Sequence, residues 1–553
     1  MLRAMSLQHR LLRVAPLVAC AAVLIWHSLQ YNFVTDDAYI SFVYSRNLAE
    51  HGQLTFNLGD RVEGYTNFLW TVLIGALMWL GVPPELSSRV LGTACGVATL
   101  VVAWRLTERV LDRAAPGEPR TPSPWAYLPP VLLASSSGFA CWSSGGLESQ
   151  LFTLLVTLAI DAYVASGAPG EGWRLHRMGL YLALAAMTRP EGVLVAAVIG
   201  GHRLVLNLAS RRLVPDRHEL GALATFLAVW APWFAWRWWY YGWPFPNTYY
   251  VKAAGKLARP EMKQQIWANG GHYVMRWLEQ TKLLWASPIA LIGLVTARPR
   301  TPRFVFGTLG ALLTAVYLVY TASVGGDFMG LHRFILPLFV IAAIAVTLGL
   351  EWLAGRLPDG GARSPRAIAG AAAAVAVALG FGVSQARLTR DSLRVGNWAS
   401  DRGIDTPAFL IVYTGDRARI GQAMAGCFRP DDYSIVGGAG AQPYYARMRG
   451  IDVFGLVSSR IAHEEPRINP RAGHTKFGNP NLLAEHDPDF VFSCYDIHRD
   501  PARRDPRNDC GPFWLGRGFE WVTIHIPGLV ERGEYYSFLA KKDRRFDCPG
   551  RVK

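Results

Sequence analysis

Long apolar stretches recur along this chain and constrain its fold more than any other feature of the sequence. A straight helix needs roughly 20 apolar residues to cross a bilayer, and 51% of the 553 residues are hydrophobic. The pattern predicts a polytopic α-helical membrane protein with about eleven transmembrane helices. The stretches are residues 11–31, 88–106, 125–141, 147–166, 177–188, 193–208, 219–239, 282–297, 304–323, 333–354 and 367–385.

A shorter apolar segment, NFLWTVLIGALMWLGV at residues 67–82, is interpreted differently. It is short and has no flanking basic residues, which favours a juxtamembrane or half-inserted helix over a span. With this segment left out and the basic N-terminus in the cytoplasm, the arginine clusters between spans fall on one side, as the positive-inside rule requires. Residues 32–87 and those after about 386 then lie outside. The first span has no small-x-small cleavage site and is expected to be retained.

The net charge of +15 is also typical of nucleic-acid-binding proteins. In this chain the arginines are spread over short loops, such as those at 173–177, 211–218, 298–303 and 355–366. They do not form one basic face with interleaved aromatic residues. We therefore expect membrane lipids as partners, and no nucleic acid.

The composition becomes polar from about residue 386, which predicts an extracytoplasmic α/β domain at 386–553 after a transmembrane catalytic domain at 1–385. Short β-branched and aromatic runs bounded by turn residues predict strands, and two segments at 416–425 and 440–448 favour helices. The predicted strands are at 408–415, 432–438, 452–457, 489–495 and 519–526.

The cysteines divide in the same way as the composition. Cys20, Cys95 and Cys141 lie in or at the end of apolar stretches, where a thiol behaves as a small hydrophobe. The other four are Cys427, Cys494, Cys510 and Cys548, in the C-terminal domain. An even count in an oxidising compartment predicts two disulfides. Three pairings are possible, and we favour Cys510 with Cys548 or with Cys494.

Two adjacent carboxylates, Asp36 and Asp37, follow the first apolar stretch. Apolar residues after them recur with a helical period, so Thr35 or Asp36 could simply cap an amphipathic helix on the membrane surface. A carboxylate at a helix N-terminus is also kept ionised by the helix dipole, and a general base must be ionised. Neighbouring helical side chains point about 100° apart, so the two aspartates cannot share one role.

Further polar and aromatic residues collect in the segments assigned to the outer side. Each group also has a structural interpretation: a polar turn, an Arg–Glu pair at a chain break, an interfacial aromatic belt or an interfacial anchor. The groups are Arg61, Glu63, Tyr65 and Asn67; Arg189 and Glu191; the aromatic-rich run 237–252; and Asp327, His332 and Arg333. Together they offer carboxylates for a base, cations for a lipid phosphate and aromatic rings for a sugar.

This combination suits a transferase that uses a lipid-phosphate sugar, because nucleotide donors are absent outside the cell. A transporter would instead show ionisable residues at the membrane midplane and two similar halves. Neither feature is evident in the sequence.

Several motifs together resemble one enzyme family. They are TDDAYISFVYSRNLAEHGQLTFNLGDRVEGYTNFLW, GLESQLF, TRPEG, GWPFPNTYYVK, GGDFMGLHRFILP, DVFGLVSSRIAH and GHTKFG, distributed over nearly the whole chain. The set resembles the membrane-embedded GT-C glycosyltransferases related to the terminal arabinofuranosyltransferase of mycobacterial cell-wall arabinan and to pilin arabinosyltransferases.

The resemblance implies a decaprenyl-phosphate arabinofuranose donor, an inverting single displacement and a catalytic aspartate in the first outer loop. By position that aspartate is Asp36, with Asp37 as the alternative. Candidates for binding the leaving phosphate are Arg189, Lys252, His332 and Arg333. Candidates for binding sugar or acceptor are Tyr39, Arg61, Glu63, Tyr65, Asn67, Glu148, Glu191, Asn247, Tyr249, Asp327, His474 and Lys476. No metal or other cofactor is expected, because arginine and lysine can neutralise a monophosphate.

Other functions remain open at this point. The donor could be a polyprenyl-phosphate mannose or another hexose, and the acceptor a cell-wall glycan, a lipopolysaccharide or a pilin. A non-enzymatic polysaccharide or lipid transport or assembly protein is a further possibility. The expected location is the bacterial cytoplasmic membrane, with several spans and the active site on the outer face.

Overall fold

The structure is a computed structural model that describes residues 7–112, 123–358, 364–394, 401–501, 509–544 and 546–552, with side chains from residue 13 onward. Its contacts divide the chain into two compact units. Unit 1 comprises residues 1–32, 88–235 and 270–394, and unit 2 comprises 33–87, 236–269 and 395–553. Residues 33–87 and 236–269, which the sequence analysis counted with the membrane domain, thus group with the C-terminal residues.

Helices dominate the described residues. In chain order they are α1 (Leu7–Tyr31), α2 (Asp36–His51), α3 (Phe68–Trp79), α4 (Pro84–Leu111), α5 (Leu128–Ser135), α6 (Ser137–Ser144), α7 (Ser149–Ala165), α8 (Arg174–Thr188), α9 (Glu191–Ala209), α10 (Arg217–Tyr241), α11 (Asn247–Lys252), α12 (Met262–Gln280), α13 (Leu283–Val295), α14 (Pro302–Ser323), α15 (Leu336–Ala354), α16 (Pro365–Ser392), α17 (Pro407–Ala423), α18 (Ala441–Ala446), α19 (Ser459–Glu464), α20 (Pro480–Ala484) and α21 (Gly511–Leu515). Short 3₁₀ turns at Pro124–Tyr127 and Arg333–Ile335 precede α5 and α15.

The apolar stretches of the sequence are helical in the structure, but not all of them form one long helix. Six helices among the described residues are long and apolar enough to cross a membrane, or seven if the bent pair α6 and α7 counts as one span. The bend between α6 and α7 is 117°. The predicted stretch 125–141 is interrupted, because the backbone of Ser136 is extended and its side chain caps α6 by accepting from the Phe139 amide. Parts of the arginine-rich loops at 112–120 and 355–366 lie outside the described residues.

Small residues let helices of unit 1 approach one another closely. An added Cβ on Gly293 of α13 would lie 1.9 Å from the Ala345 carbonyl oxygen of α15. An added Cβ on Gly349 of α15 would lie 2.0 Å from the carbonyl oxygen of Ile289. Glycine at both positions therefore permits a separation of α13 and α15 that any larger residue would prevent, as is typical of helix packing in membranes.

Unit 2 contains a five-stranded mixed sheet with the order β2-β1-β3-β5-β4. The strands are β1 (Ser434–Val436), β2 (Gly450–Asp452), β3 (Phe490–His498), β4 (Phe519–His525) and β5 (Tyr535–Lys541). Strand β1 pairs in parallel with β2 and β3, while β5 pairs antiparallel with β3 and β4. Alternate residues face opposite sides of a strand. Accordingly Phe490 and Phe492 join one apolar cluster, and Val491 joins another.

The predicted α/β character of the C-terminal region agrees with this sheet, but the strand predicted at 408–415 is wrong, and the one predicted at 452–457 shares only Asp452 with β2. Residues 408–415 lie in α17 because helix-start signals outweigh their β-branched and aromatic content. Thr406 caps this helix by accepting from the Phe409 amide, and Pro407 occupies its first turn. Strand β5 was not predicted from the sequence.

The apolar segment 67–82 forms the short helix α3, which packs on α2 within unit 2. Ser45 on α2 donates to the Thr71 carbonyl at 2.8 Å, and Gly75 allows α3 to approach the backbone of Ser45. Its 12 residues correspond to roughly 18 Å of helix, which is shorter than the hydrocarbon core of a bilayer. This length agrees with the interpretation of 67–82 as a segment that does not span, and its position relative to the membrane stays a prediction.

Two disulfides join the cysteines of unit 2, as the even count predicted. Cys427 pairs with Cys548, and Cys494 pairs with Cys510. Of the two partners favoured for Cys510, the structure selects Cys494. Cys20, Cys95 and Cys141 are free thiols.

Loss of the long-range disulfide should destabilise unit 2 more than loss of the short-range one. The linked cysteines are 121 residues apart in Cys427–Cys548 and 16 apart in Cys494–Cys510. In the chain-entropy description, loops of about 100 and about 15 residues give roughly 4.7 and 3 kcal/mol. We expect a larger fall in Tm for the Cys427→Ser/Cys548→Ser double variant than for Cys494→Ser/Cys510→Ser, measured by tryptophan fluorescence.

The matched control is Cys95→Ala, which removes a free thiol and should change Tm little. Equal Tm values for the two double variants would contradict this ranking.

Candidate active site

The carboxylate of Asp36 is held by a segment distant in sequence. Asp36 is the first residue of α2, and Thr35 occupies the N-cap position without a side-chain capping bond. The amide of Ala441, at the start of α18, donates to Asp36 Oδ1 at 2.8 Å. Both residues belong to unit 2. Asp36 is therefore fixed by a tertiary contact in addition to its place in the first turn of α2.

The environment of Asp36 brings its pKa toward neutrality. Burial raises the pKa of this half-buried carboxyl to about 6, and the neighbouring Asp37 acts in the same direction. The Ala441 amide and the positive charge of Arg417 lower it and so oppose burial. At neutral pH Asp36 is mostly ionised, and a pKa near the working pH suits a general base. Asp37 lies in the same turn and is also half-buried.

Tyr39, on the same helix as Asp36, begins a short chain of hydrogen bonds to other helices. Buried Tyr39 forms a hydrogen bond with the hydroxyl of Tyr445 at 3.2 Å, and Tyr445 donates to Glu85 at 2.7 Å. The ring of Tyr39 packs edge-on against Phe42, and the ring of Tyr444 lies 5.3 Å from it. These contacts give Tyr39 a fixed orientation one turn after Asp36.

The predicted residues between 61 and 67 form the interior of unit 2. Glu63 pairs with Arg237 at 3.1 Å, and both side chains are almost fully buried. Burial raises the pKa of Glu63 to about 8, which outweighs the attraction of Arg237. Tyr65 bonds to the hydroxyl of Tyr241 at 3.0 Å. Ser41 donates a hydrogen bond to Asn67 at 3.0 Å. Arg61 is exposed, and its guanidinium lies 4.7 Å from the centre of the Tyr240 ring.

Asn247 and Lys476 bind backbone carbonyls within unit 2. The side-chain nitrogen of Asn247, Nδ2, donates to the backbone carbonyls of Gly455, Leu456 and Ser458 at 2.6–3.2 Å. Lys476 is fully buried and donates to the carbonyl of Ala462 at 2.7 Å. These bonds give both residues a structural role in unit 2, whatever else they do.

The other predicted residues of unit 2 are less enclosed. His474 packs edge-on against Phe454 with ring centres 4.6 Å apart. Tyr249 is exposed beside Phe245. Lys252 is half-buried and is the last residue of α11.

In unit 1, Arg189 lies between two predicted carboxylates. Its guanidinium donates to Glu148 at 2.7 Å and to Glu191 at 3.2 Å, and all three side chains are buried. The ring of Phe334 covers it at 4.6 Å. Two carboxylates and one guanidinium carry a net charge of −1, so this group does not attract a phosphate by charge alone. The geometry favours a role in holding the break between α8 and α9.

Asp327 and Arg333 form a second buried ion pair of unit 1. Arg333 donates to both carboxylate oxygens of Asp327, at 2.5 and 3.3 Å. The guanidinium also lies 5.7 Å from the ring of Trp142 and 5.6 Å from that of Phe334. Unlike the Arg189 group, this Arg333–Asp327 pair has no net negative charge, so Arg333 stays a candidate for binding a phosphate.

The neighbouring His332 is buried and bonds to Gln280 at 2.9 Å. Burial lowers the pKa of His332 to about 3, so its imidazole is neutral at physiological pH. His332 therefore offers a hydrogen bond to a phosphate, without a positive charge.

Sequence patterns did not identify the residues that act on Asp36, namely Arg417, Gly438, Gly440 and Ala441. The run GGAGA at 437–441, directly after β1, was the one signal in the sequence that could have drawn attention to this loop. Among the described residues, no group of three or more His, Cys, Asp and Glu side chains could hold a metal ion.

Comparisons with known proteins confirm the resemblance found in the motifs. The chain is 28% identical over 377 residues to the terminal β-(1→2)-arabinofuranosyltransferase of Mycobacterium tuberculosis (strain ATCC 25618 / H37Rv), covering 62% of this chain and 56% of the relative. It is 24% identical over 359 residues to the protein of the same name from Corynebacterium glutamicum, covering 57% and 48%. The chain thus spans about half the length of the curated relatives it matches. No protein-family model matches it.

The fold is shared with solved membrane glycosyltransferases. ArnT from Cupriavidus metallidurans in the apo state matches with a TM-score of 0.56 and 13% identity over 95% of this chain and 97% of ArnT. The same enzyme bound to undecaprenyl phosphate matches with a TM-score of 0.53 and 14% identity over 80% and 86%. These likenesses establish the fold, and the predicted GT-C class is confirmed.

The charge balance of the Arg189 group leads to a prediction about stability. Arg189→Gln leaves Glu148 and Glu191 together without their cation, whereas Glu148→Gln leaves a balanced Arg189–Glu191 pair. Breaking a buried ion pair on one side costs about 3–5 kcal/mol. We expect the larger fall in Tm for Arg189→Gln, measured by tryptophan fluorescence in detergent. An equal or greater fall for Glu148→Gln would contradict the charge argument.

Proposed function

We propose that this chain is a membrane glycosyltransferase that transfers a sugar from a polyprenyl-phosphate donor to a glycan or glycoprotein acceptor. The curated relatives are named arabinofuranosyltransferases, and the solved ArnT with the same fold was crystallised with undecaprenyl phosphate. Both support a lipid-linked donor. Within this class we assign decaprenyl-phosphate arabinofuranose as the donor, because the named relatives transfer that sugar.

The observation that carries the proposal is the environment of Asp36. A carboxylate with an ordinary pKa is a weak base, while a fully neutralised carboxylate cannot accept a proton at physiological pH. Asp36 has one backbone amide on its Oδ1 atom and a pKa raised to about 6. It is thus ionised at neutral pH and still basic enough to take a proton from an acceptor hydroxyl.

The proposed reaction is a single displacement. The acceptor hydroxyl oxygen attacks the anomeric carbon and forms the new glycosidic bond, and its proton passes to the carboxylate of Asp36. The bond between the anomeric carbon and the phosphate oxygen breaks, and the polyprenyl phosphate leaves with the bonding electron pair. Attack from the face opposite the leaving group inverts the anomeric centre.

Cations are proposed to stabilise the leaving phosphate. Arg333 presents a planar fork that matches phosphate oxygens and pairs with Asp327. Lys252 is the second candidate, and neutral His332 is a candidate hydrogen-bond donor. Arg189, held between Glu148 and Glu191, is assigned to positioning. Tyr39, with its fixed hydroxyl, is the aromatic residue that we propose for the sugar or acceptor.

We further propose that unit 2 lies on the outer face of the bacterial cytoplasmic membrane. Two disulfides in unit 2 support an oxidising compartment for it. The arginine-rich loops between spans support the same orientation by the positive-inside rule. A transfer assay with cell-wall glycan, lipopolysaccharide and pilin would identify the acceptor.

Replacing the proposed base should abolish transfer while leaving the protein folded. In Asp36→Asn the amide oxygen can still accept from Ala441, so the fold is retained, but the proton acceptor is lost. Loss of a general base lowers rates by about 10²–10⁴-fold. The measurement is sugar transfer by the purified full chain from decaprenyl-phosphate arabinofuranose or decaprenyl-phosphate mannose, to arabinan oligosaccharides, lipopolysaccharide and pilin. Asp37→Asn should lower transfer less.

The matched control is Asp487→Asn, since the side chain of Asp487 is 87% exposed; its transfer rate should equal that of the wild type. Transfer from the mannose donor alone would overturn the assigned sugar and keep the mechanism. Full transfer by Asp36→Asn would overturn the base assignment. No transfer by the folded wild-type protein from either donor would favour a transport or assembly role.

Transfer should not require a divalent metal. The leaving group is a phosphate monoester, whose charge arginine and lysine can neutralise without the cation that diphosphate donors require. We expect the wild-type rate in excess EDTA to stay within about twofold of the untreated rate, whereas a metal-assisted step would contribute far more. Loss of transfer in EDTA, restored by added Mg²⁺ or Mn²⁺, would contradict this expectation.

A further inference from the structure

We propose that Arg417, Gly438, Gly440 and Ala441 form a positioning clamp around Asp36, which orients this carboxylate and keeps it ionised as the proton acceptor. The inference rests on the proposed function, because it concerns the residue assigned there as the base. All five residues belong to unit 2. The clamp residues are positioning residues, since they act through Asp36.

The loop before α18 contacts both the carboxylate and the backbone of Asp36. Ala441 donates its amide to Oδ1 at 2.8 Å. An added Cβ on Gly440 would lie 2.2 Å from Oδ2 and 2.4 Å from the carbonyl oxygen of Asp36. On Gly438 it would lie 3.3 Å from Oδ2. Glycine at position 440 is thus required for the loop to reach Asp36 and to bring the Ala441 amide into hydrogen-bonding distance.

Arg417 supplies a positive charge that a carboxylate does not fully neutralise. Its guanidinium is buried between the rings of Tyr413 and Tyr495, at 4.7 and 4.4 Å, and donates to the Tyr495 hydroxyl at 2.5 Å. Its ion-pair partner Glu531 lies 3.6 Å away. Within the described part of the chain, Nη1 of Arg417 is buried without a hydrogen-bond partner. An added Cβ on Gly438 would lie 3.3 Å from Asp36 Oδ2 and 3.4 Å from the hydroxyl of Tyr413, the residue on which Arg417 stacks. The charge of Arg417 is therefore held close enough to act on Asp36.

The adjacent residue, Asp416, helps to fix the position of Arg417. Asp416 on α17 accepts from the amides of Val530 and Glu531 at 2.8–3.1 Å. This ties the middle of α17 to the loop between β4 and β5. The guanidinium is consequently held at a defined place relative to the sheet.

The other titratable groups around Asp36 can be assigned by element. On α2 the neighbour is Asp37, which opposes ionisation of Asp36. On α17 they are Tyr413 and Arg417, and α18 carries Tyr444 and Tyr445. Helix α3, which also packs on α2, has no charged residue. Arg417 and the Ala441 amide are thus the groups that favour the ionised carboxylate.

The titration of Asp36 can be followed without substrate, because the protonation of Asp36 changes the stability of the folded protein. Because the pKa of Asp36 is raised from 3.8 to about 6 on folding, the folded protein binds more protons than the unfolded one in that window. The wild type should therefore lose stability relative to Asp36→Asn as pH rises through this window, and the difference should level off near pH 6. The measurement is the Tm difference between these two proteins from pH 4 to pH 8.

The same comparison is then made in an Arg417→Gln background. The levelling point is the pH at which the Tm difference between the two proteins stops changing. Removal of the cation should raise the levelling point by about one pH unit. Arg417→Lys, which keeps a cation, should leave it within about half a unit of the wild type. If Arg417 had only a structural role, Arg417→Gln would lower Tm both with and without Asp36→Asn, and the levelling point would not move.

The loop is tested by two alanine variants. Gly440→Ala forces the loop away from Asp36, so the levelling point and the acidic limb of the pH–rate profile for transfer should both move upward. The matched control is Gly437→Ala, where an added Cβ meets its nearest neighbour, Ser493 Cα, at an ordinary 3.7 Å. Its profile should match that of the wild type.

The outcomes separate the clamp from the function on which it rests. Unchanged titration in Arg417→Gln and Gly440→Ala, combined with loss of transfer in Asp36→Asn, would overturn the clamp and leave the proposed function intact. Full transfer by Asp36→Asn would instead overturn the base assignment. If Gly440→Ala fails to fold, the Arg417→Gln and Arg417→Lys pair decides the question alone.

Discussion

Burial of ionisable groups in apolar surroundings is the constraint on which both units depend. A buried charge is costly unless it is paired, and unit 1 pairs its buried charges at short range. Asp161 accepts from Arg105 and Arg109, Glu351 from Arg303, and Asp327 from Arg333. Such pairs hold helices together in a region where apolar contacts alone give little specificity.

The carboxylate of Asp36 in unit 2 differs from these ion-paired carboxylates. It faces a backbone amide and the field of Arg417, and no direct bond to a cation is seen among its described contacts. The charge is consequently stabilised enough to persist at neutral pH but not enough to make the carboxylate inert. This incomplete neutralisation distinguishes Asp36 from the carboxylates that arginine side chains hold, and it is the property that a general base needs.

The same reasoning refines the predicted phosphate ligands. Sequence alone shows that arginines and carboxylates lie near one another in TRPEG and GGDFMGLHR, but not which carboxylates pair with each arginine. In the structure Arg189 pairs with Glu148 and Glu191, and Arg333 pairs with Asp327. An arginine already outnumbered by carboxylates gains less from an additional anion. The proposed phosphate contact therefore falls on Arg333, with Arg189 holding the chain break.

Local patterns predicted the helices well, because the apolar stretches and capping residues act over a few neighbouring positions. The stretch 125–141 and the strand expected at 408–415 show the limit of this approach. Ser136 and Thr406 each cap a helix, and these bonds outweigh the apolar or β-branched composition around them. From the sequence, the resemblance allowed Asp36 to be proposed as a base, with Asp37 as the alternative. The partner of Asp36, Ala441, could not be predicted, since the two are 405 residues apart in the sequence and meet only in the folded unit.

The long-range contact at Asp36 also gives the disulfides of unit 2 a connection with the proposed chemistry. Cys427 follows α17 closely, and its partner Cys548 approaches the carbonyl of Ala423, the last residue of that helix, at 3.6 Å. The Cys427–Cys548 disulfide thus links the C-terminal end of α17 to the segment around Cys548. Asp416 links the middle of α17 to the loop between β4 and β5. Arg417 lies between these two attachments. Covalent and hydrogen-bonded restraints within unit 2 therefore fix the charge that acts on Asp36.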